Sequence, residues 1–286
     1  MAETKSQGDG ARERMGDLIR VLILAVIQGI AEFLPVSSSG HLVIGNELLK
    51  RFQGGDIPDE GMTLNIVLHL GTLGAILVVY FRRLQRVLFE MDWWLCSAIV
   101  LASVPAAIVG IGFKDTLEPM FTSPAVAGFG LLVTATLLIL GQRLQSGRFT
   151  DRQLPWPIAF VVGCFQAVAL VPGISRSGST ISGGMLSGME RESAATFSFL
   201  IAIPAIGGAA FLDMLKWFKP GHSAVQTIPW PTLLMGMIVS FLVGIVALRL
   251  LIRLISHERL HWFGYYCLCL GVIVLAWQAS EGKLGL

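Results

Sequence analysis

The chain has 286 residues, 54% of them hydrophobic and 14% charged, with a formal net charge of +2. Soluble domains carry about 25% charged residues, so with a mean hydropathy of +0.71 the chain reads as an integral membrane protein and not as a soluble one. A net charge this small gives no argument for a nucleic-acid partner.

Residues 1–17 form a polar tail, expected to be irregular. Apolar runs comparable to the ~20 residues that cross a bilayer fall at 18–35, 62–81, 93–112, 124–142, 156–171, 194–215, 230–252 and 262–278. No small-residue cleavage site follows the first run, so it does not read as a signal peptide. Two further segments, 39–50 after Pro35 and 176–189 after Pro172, are too short to span. Both open on Ser/Gly clusters, which favour loops and helix N-caps. Helix, loop and short returning helix describe a re-entrant hairpin, whose irregular backbone is tolerated at membrane depth only under protein or water.

The two hairpin regions correspond. Shifted by 138 residues, Gln28 falls on Gln166, Val36 on Ile174, Ser37 on Ser175, Ser38 on Arg176, Ser39 on Ser177, Gly40 on Gly178 and His41 on Ser179. The later runs stay roughly in register. The expected fold is therefore all-α and membrane-embedded, with two repeats, 18–143 and 156–280, joined by a linker at 144–155 and followed by a tail at 281–286. Each repeat holds one hairpin and three spans. Three is odd, so the second repeat is expected to be inverted and the hairpin tips to meet near the midplane. One set of loops collects Arg82, Arg83, Arg86, Arg143, Arg148, Arg152, Arg191, Arg249, Arg253 and Arg259, the other Lys50, Arg51, Lys114, Lys216, Lys219 and Lys283. The arginine-rich side is expected to be cytoplasmic. Loop 113–123 is expected in the interface. Trp93, Trp94, Trp156, Trp217 and Trp230 lie near span ends and read as interface anchors. The four cysteines, Cys96, Cys164, Cys267 and Cys269, lie in apolar runs without zinc-ligand or disulfide spacing and read as packing residues.

Ionisable groups inside apolar runs are costly and mark functional sites by default. Gln28 and Glu32 lie four residues apart on one helix face. Glu32 could be a cation ligand, a general base or a structural carboxylate; Gln28 alone could be a packing amide. Among Ser37, Ser38 and Ser39, at least one is expected to cap the following helix, leaving others free as a nucleophile. His41 could be the base or acid beside them. His69, alone in its apolar run, reads as a satisfied core histidine. Arg176 carries a permanent charge in a Gly/Ser loop and needs an anionic partner. That partner could be Glu32, as a structural pair, or an oxyanion substrate. Backbone and hydroxyls at Gly173, Ser175, Ser177, Ser179 and Thr180, with the positive end of the next helix, suit phosphate. The chemistry best matched is phosphoryl transfer to water from a lipid with an anionic head.

The stretch Gln28-Gly-Ile-Ala-Glu32-Phe-Leu-Pro-Val-Ser-Ser-Ser-Gly-His41 resembles the (E/Q)xxxE signature, with adjacent Ser and His, of the undecaprenyl-pyrophosphate phosphatases of the bacitracin-resistance family. Pro172-Gly-Ile-Ser-Arg-Ser-Gly-Ser-Thr180 resembles that family's PGxSRSxxT signature. The resemblance runs from about residue 18 to 278. It implies a bacterial plasma-membrane hydrolase acting on a phosphoanhydride, converting undecaprenyl pyrophosphate to undecaprenyl phosphate and inorganic phosphate at the outer face. That reaction recycles the cell-wall lipid carrier, and bacitracin competes for the same substrate. It further implies Glu32 as the essential acid, Ser38 and His41 as nucleophile and acid/base, and Arg176 as the phosphate clamp. Ser37, Ser39, Gly173, Ser175, Ser177 and Thr180 would line the pyrophosphate site. A divalent cation, Mg2+ or Ca2+, is implied as cofactor, with Glu32 and Gln28 as ligands. Gln28 stands where many members carry Glu, which removes one charge from such a site. The competing reading is a transporter or flippase of a polyprenyl phosphate, which would need the Arg176 cradle but no nucleophile. The sequence leaves a homodimer open.

Overall fold

The computed structural model describes residues 2–53, 62–89, 92–151, 154–217 and 228–283. The side chains of Lys50, Arg51, Arg152, Lys216, Trp217 and Lys219 lie outside the description, as does the loop at 54–61. Among the described residues the architecture is all-helical, and its only extended pairing is a bridge between Phe149 and Met189.

The helices are α1 (Ala2–Ala31), α2 (Ser38–Gln53), α3 (Met62–Val79), α4 (Phe81–Phe89), α5 (Trp93–Gly112), α6 (Lys114–Leu117), α7 (Pro124–Leu144), α8 (Trp156–Val168), α9 (Arg176–Leu186), α10 (Arg191–Trp217), α11 (Trp230–Ser256) and α12 (Leu260–Ser280). Among the described residues five helices, α5, α7, α10, α11 and α12, are long and apolar enough to cross a membrane, and α3 with α4 makes a sixth if the bent pair is one span. α8 has 13 residues, about 20 Å of rise against a hydrocarbon core of about 30 Å. It reaches only part of the way, as a hairpin arm should.

The starts of the spans are written locally. Asp92 caps α5 by accepting from the Leu95 amide at 3.1 Å. Ser123 caps α7 at Val126, and Pro124 takes the first helical position, where no N–H is required. Two boundaries differ from expectation. The segment expected to be an irregular tail is helical from Ala2, because residues 2–17 are mostly good helix formers continuous with an apolar helix. The run expected over 62–81 ends at Val79, and α4 turns away from α3 by 73°. Arg82, Arg83 and Arg86 cannot continue an apolar span, whereas Val87 still reaches the core.

The halves interleave. α1 packs on α11, α8 on α5, α3 on α11 and α7 on α12, while α9 is enclosed by α7, α8 and α10. The largest core cluster joins Phe33 of the first hairpin to Phe197 and Phe199 of α10, with the Phe33 and Phe199 rings 5.8 Å apart.

The arginine-rich segments gather at one end. Arg83 pairs with Asp151 at 2.6 Å, Arg191 with Glu258 at 2.5 Å, and Gln142 accepts from the His261 amide at 2.8 Å. At the other end Lys283 of the α12 terminus meets Glu47 of α2 at 3.6 Å. Trp93, Trp156 and Trp230 are exposed at span ends, and Trp94 stacks on Trp156 with centroids 4.9 Å apart. All four cysteines are free thiols.

Candidate functional site at the meeting of two hairpins

Each hairpin tip is capped by the serine that the repeat predicts. Ser37 Oγ accepts from the Gly40 amide at 3.2 Å, and Ser175 Oγ accepts from the Gly178 amide at 3.1 Å. Each capping hydroxyl also lies beside the hydroxyl two residues on: Ser39 at 3.2 Å and Ser177 at 3.3 Å. The backbones differ. Ser175 is extended, with φ −70° and ψ 123°, whereas Ser37 sits at φ +66°, a left-handed conformation that costs a residue with a side chain roughly 1–2 kcal/mol.

The tips touch reciprocally. A methyl at Gly40 would fall 2.9 Å from the Gly173 Cα, and one at Gly178 would fall 3.2 Å from the Pro35 Cβ. Gly178 and Gly173 lie 138 residues beyond Gly40 and Pro35, so corresponding residues exchange partners, as a two-fold relation between the hairpins would have it. Gly173 itself is at φ +87°, and a methyl there would overlap the Ala127 carbonyl oxygen of α7. Thr134 of α7 fastens this tip: its hydroxyl donates to the Gly130 and Gly173 carbonyls and accepts from the Ser175 amide at 2.9 Å. Cys267 of α12 lies against the first tip, its Sγ 3.7 Å from the Pro35 carbonyl.

Between the tips is a carboxylate with three partners. Arg176 Nη2 donates to Glu32 Oε1 at 2.5 Å, Gln28 Nε2 donates to Glu32 Oε2 at 3.1 Å, and His69 Nε2 lies 3.7 Å from Oε2. The Glu32 side chain is 9% exposed and Arg176 18%, so a charge left alone here would cost several kcal/mol. Arg176 spends only one edge on this pair. Its Nη1 is buried and has no partner among the described residues.

The remaining predicted residues separate by what their polar atoms already do. Of the three serines, Ser37 caps and Ser39 bonds to Ser37, while the Ser38 hydroxyl, at the first position of α2, makes no hydrogen bond among the described residues. His41 is not turned onto Ser38: Nδ1 donates to the Ser37 carbonyl at 2.7 Å, and Nε2 is 2.7 Å from the Tyr266 hydroxyl, with the rings stacked. Thr180 is turned away from the tips, its hydroxyl donating to the Arg176 carbonyl at 2.8 Å and lying 2.5 Å from Ser198 Oγ of α10. Ser179, the position corresponding to His41, is buried without a partner.

Three contacts escape the sequence reading. His69, taken as a core histidine, faces Glu32. Tyr266 meets His41 from 225 residues away, and Thr134 holds the second tip. Each sits in an apolar helix whose facing side no periodicity reveals; only their being polar groups in such runs could have singled them out.

The donor set argues against a resident Mg2+ or Ca2+. Such ions take six or more oxygen ligands. Here Glu32 is the single carboxylate, Oε1 is taken by a guanidinium and Oε2 by the Gln28 amide N–H. Among the described residues no group of three or more His, Cys, Asp or Glu side chains could hold a metal ion. The cation-site expectation at Glu32 and Gln28 is not matched by this arrangement.

A guanidinium edge and an unengaged hydroxyl, brought together by two touching hairpins, define a multi-pass membrane protein with a polar site enclosed among its helices. The chain belongs to the family described as "Bacitracin resistance protein BacA", whose pattern matches residues 21–273. It is 47% identical over 261 residues to an undecaprenyl-diphosphatase of Rhodopirellula baltica, covering 91% of this chain and 98% of that protein. Proteins of the same name from Carboxydothermus hydrogenoformans and Lactiplantibacillus plantarum are 38% and 37% identical, each over more than nine tenths of both chains.

Proposed function

We propose that this protein is an undecaprenyl-diphosphatase, hydrolysing undecaprenyl pyrophosphate to undecaprenyl phosphate and inorganic phosphate. The observation that carries the reading is Arg176, fixed by Glu32 at Nη2 and left with a buried, unpartnered Nη1. The relatives' names supply the substrate.

In this reading the terminal phosphate binds the open edge of Arg176 and the first amides of α9, where helix-end charge favours an anion. Ser38 Oγ attacks the terminal phosphorus. The bridging P–O bond breaks, undecaprenyl phosphate departs, and Glu32 takes the serine proton and passes it to the leaving phosphate. Water then attacks the phosphoserine phosphorus as Glu32 accepts its proton, the Ser38 Oγ–P bond breaks, Glu32 returns that proton to Ser38 Oγ, and inorganic phosphate leaves. His41 holds the first tip through the Ser37 carbonyl and Tyr266, and acts on Ser38 only after leaving Tyr266. A divalent cation fits this reading as a counter-ion carried in by the pyrophosphate. The arginine-rich end faces the cytoplasm, the membrane is the bacterial inner membrane, and the site opens outward, where bacitracin meets the same lipid. The exchanged tip contacts support two inverted repeats.

The test is phosphate release from a polyprenyl pyrophosphate by purified protein in detergent. Glu32→Ala and Arg176→Ala are each expected to lose about a thousandfold in kcat/KM or more. Ser38→Ala should lose a comparable factor and form no phosphoenzyme. Near-normal turnover by Ser38→Ala removes the serine route; no release by folded wild type removes the phosphatase.

A further inference from the structure

We propose that a groove between α1, α11 and α12, on the arginine-rich side of the hairpin tips, binds an anionic phospholipid, with the phosphate on Arg259 and one acyl chain along the groove. The site is separate from the Glu32–Arg176 pair and does not depend on the reaction proposed there.

The first hairpin makes the groove by stopping short. α1 runs alongside α11: a methyl at Gly29 would fall 2.9 Å from Val243 Cβ, and one at Gly244 would fall 2.8 Å from the Phe33 ring. The chain then turns at Pro35 and leaves as α2, whereas α11 continues from Gly244 to Ser256, about 18 Å further. Past the tip, α11 and the start of α12 lose that neighbour. The result is a groove of about 640 Å³ walled by Ile27, Ile30 and Leu34 of α1, Leu250 and Leu254 of α11 and Phe263 of α12. Left unfilled, it would forfeit the dispersion contacts of its lining, so a chain from the bilayer fills it.

The two ends of the groove say which chain. At the tip end lie His41 and Tyr266, whose polar atoms are spent on each other: Nε2 is 2.7 Å from the hydroxyl, and the rings stack. They offer ring carbon, which suits the end of a hydrocarbon chain. At the far end lies Arg259, exposed, its guanidinium 5.3 Å from the centroid of the Trp262 ring. From Tyr266 to Arg259 is about 10 Å along α12, within the roughly 15 Å that one leaflet contributes to the hydrocarbon core. The neighbouring Glu258 carboxylate is held by Arg191 at 2.5 Å. Among the described residues neither Arg259 nor Arg253, also exposed, forms an ion pair. A guanidinium takes a phosphate in a fork, and basic pockets between membrane helices hold anionic head groups. A polyprenyl pyrophosphate with its head at the tips would lie the wrong way round, its charge beside satisfied rings and its apolar tail end beside Arg259. The groove matches a lipid whose head belongs to the arginine-rich side.

The test titrates delipidated protein in detergent with dioleoylphosphatidylglycerol or dioleoylphosphatidylcholine and counts bound lipid by native mass spectrometry. Wild type should hold one phosphatidylglycerol about fivefold or more tightly than phosphatidylcholine. Arg259→Gln should remove that preference, and Leu250→Trp, which fills the groove, should remove the bound lipid. Arg82→Gln, at an exposed arginine of α4 outside the lining, should change nothing. Equal affinity for the two lipids in wild type would overturn the proposal. So would equal losses in the two arginine variants, or lipid retained by Leu250→Trp. Displacement of phosphatidylglycerol by equimolar neutral polyprenol would also overturn it and give the groove to the substrate's chain. Both arginine variants replace exposed side chains, so they decide the question even if Leu250→Trp melts lower than wild type.

Discussion

The two hairpins share a plan and divide the chemistry. Both are capped by a serine three residues before a glycine, and each lays a glycine against the other's tip. At corresponding positions the first has Glu32, Ser38 and His41, and the second has Leu170, Arg176 and Ser179. The second keeps the amide, Gln166, but with leucine in place of the carboxylate that amide is buried and unpartnered. Burial divides them too: Ser177 to Met185 of α9 are all buried, whereas α2 alternates buried and partly exposed residues. The two hairpins thus offer two supports of similar geometry, and Arg176 stands on the more enclosed one. In the proposed reaction Arg176 holds the phosphate, and such a group benefits from rigid surroundings. In the same proposal the attacking hydroxyl must meet substrate and release product, and Ser38 sits on the looser arm.

The largest expected break in that arrangement is Gly173→Ala. The position needs φ +87° and has no room for a methyl against α7. Strain and overlap together should cost about 3 kcal/mol or more, seen as a fall of roughly 10 °C in melting temperature, with the Arg176 site lost along with it. A variant that melts like the wild type would show that the second tip is less tightly held than its packing says.

A finer comparison substitutes the two caps identically. Ser175→Gly removes the bond to the Gly178 amide from an extended residue that gains nothing from glycine, and should destabilise by up to about 1 kcal/mol. Ser37→Gly removes the equivalent bond but relieves φ +66°, so its melting temperature should stay within about a degree or two of wild type, or rise. Equal losses at the two positions would mean that the left-handed backbone at Ser37 carries no strain.

Much of this asymmetry is legible in the sequence, because its elements are local. The caps, the short return helices and the 138-residue register are contained in stretches of about fifteen residues, where Pro, Gly and Ser have fixed conformational meanings. The Glu32–Arg176 pair was one of two open readings, since two buried opposite charges must find either each other or a ligand. What was not legible comes from helix faces. In a bilayer a helix is apolar on nearly every side, so periodicity does not say which side meets the site. His69 on α3 and Tyr266 on α12 therefore gave no sign of their partners. The bend at Tyr80 is hidden for a related reason: the apolar run and the arginines after it are both plain, but the angle between them is set by packing.

The smallest effect lies at the arginine-rich end, away from both hairpins. Glu258 connects the α11–α12 turn to the start of α10 through Arg191, and that hydrogen bond, with the charge beside it, holds the Glu258 carboxyl below the usual range. A depressed carboxyl contributes stability above its ordinary pKa and loses it as pH falls through the folded value. The pair is open to solvent, and such pairs contribute little. Glu258→Gln should therefore lower the melting temperature by about a degree or less at pH ~7, and the difference should shrink as pH falls through the lowered carboxyl value of the wild type. Phosphate release should not change at pH ~7. A large loss of activity would mean that the arginine-rich end communicates with the tips, most directly along α10, which begins at Arg191 and holds Ser198 against Thr180 of α9.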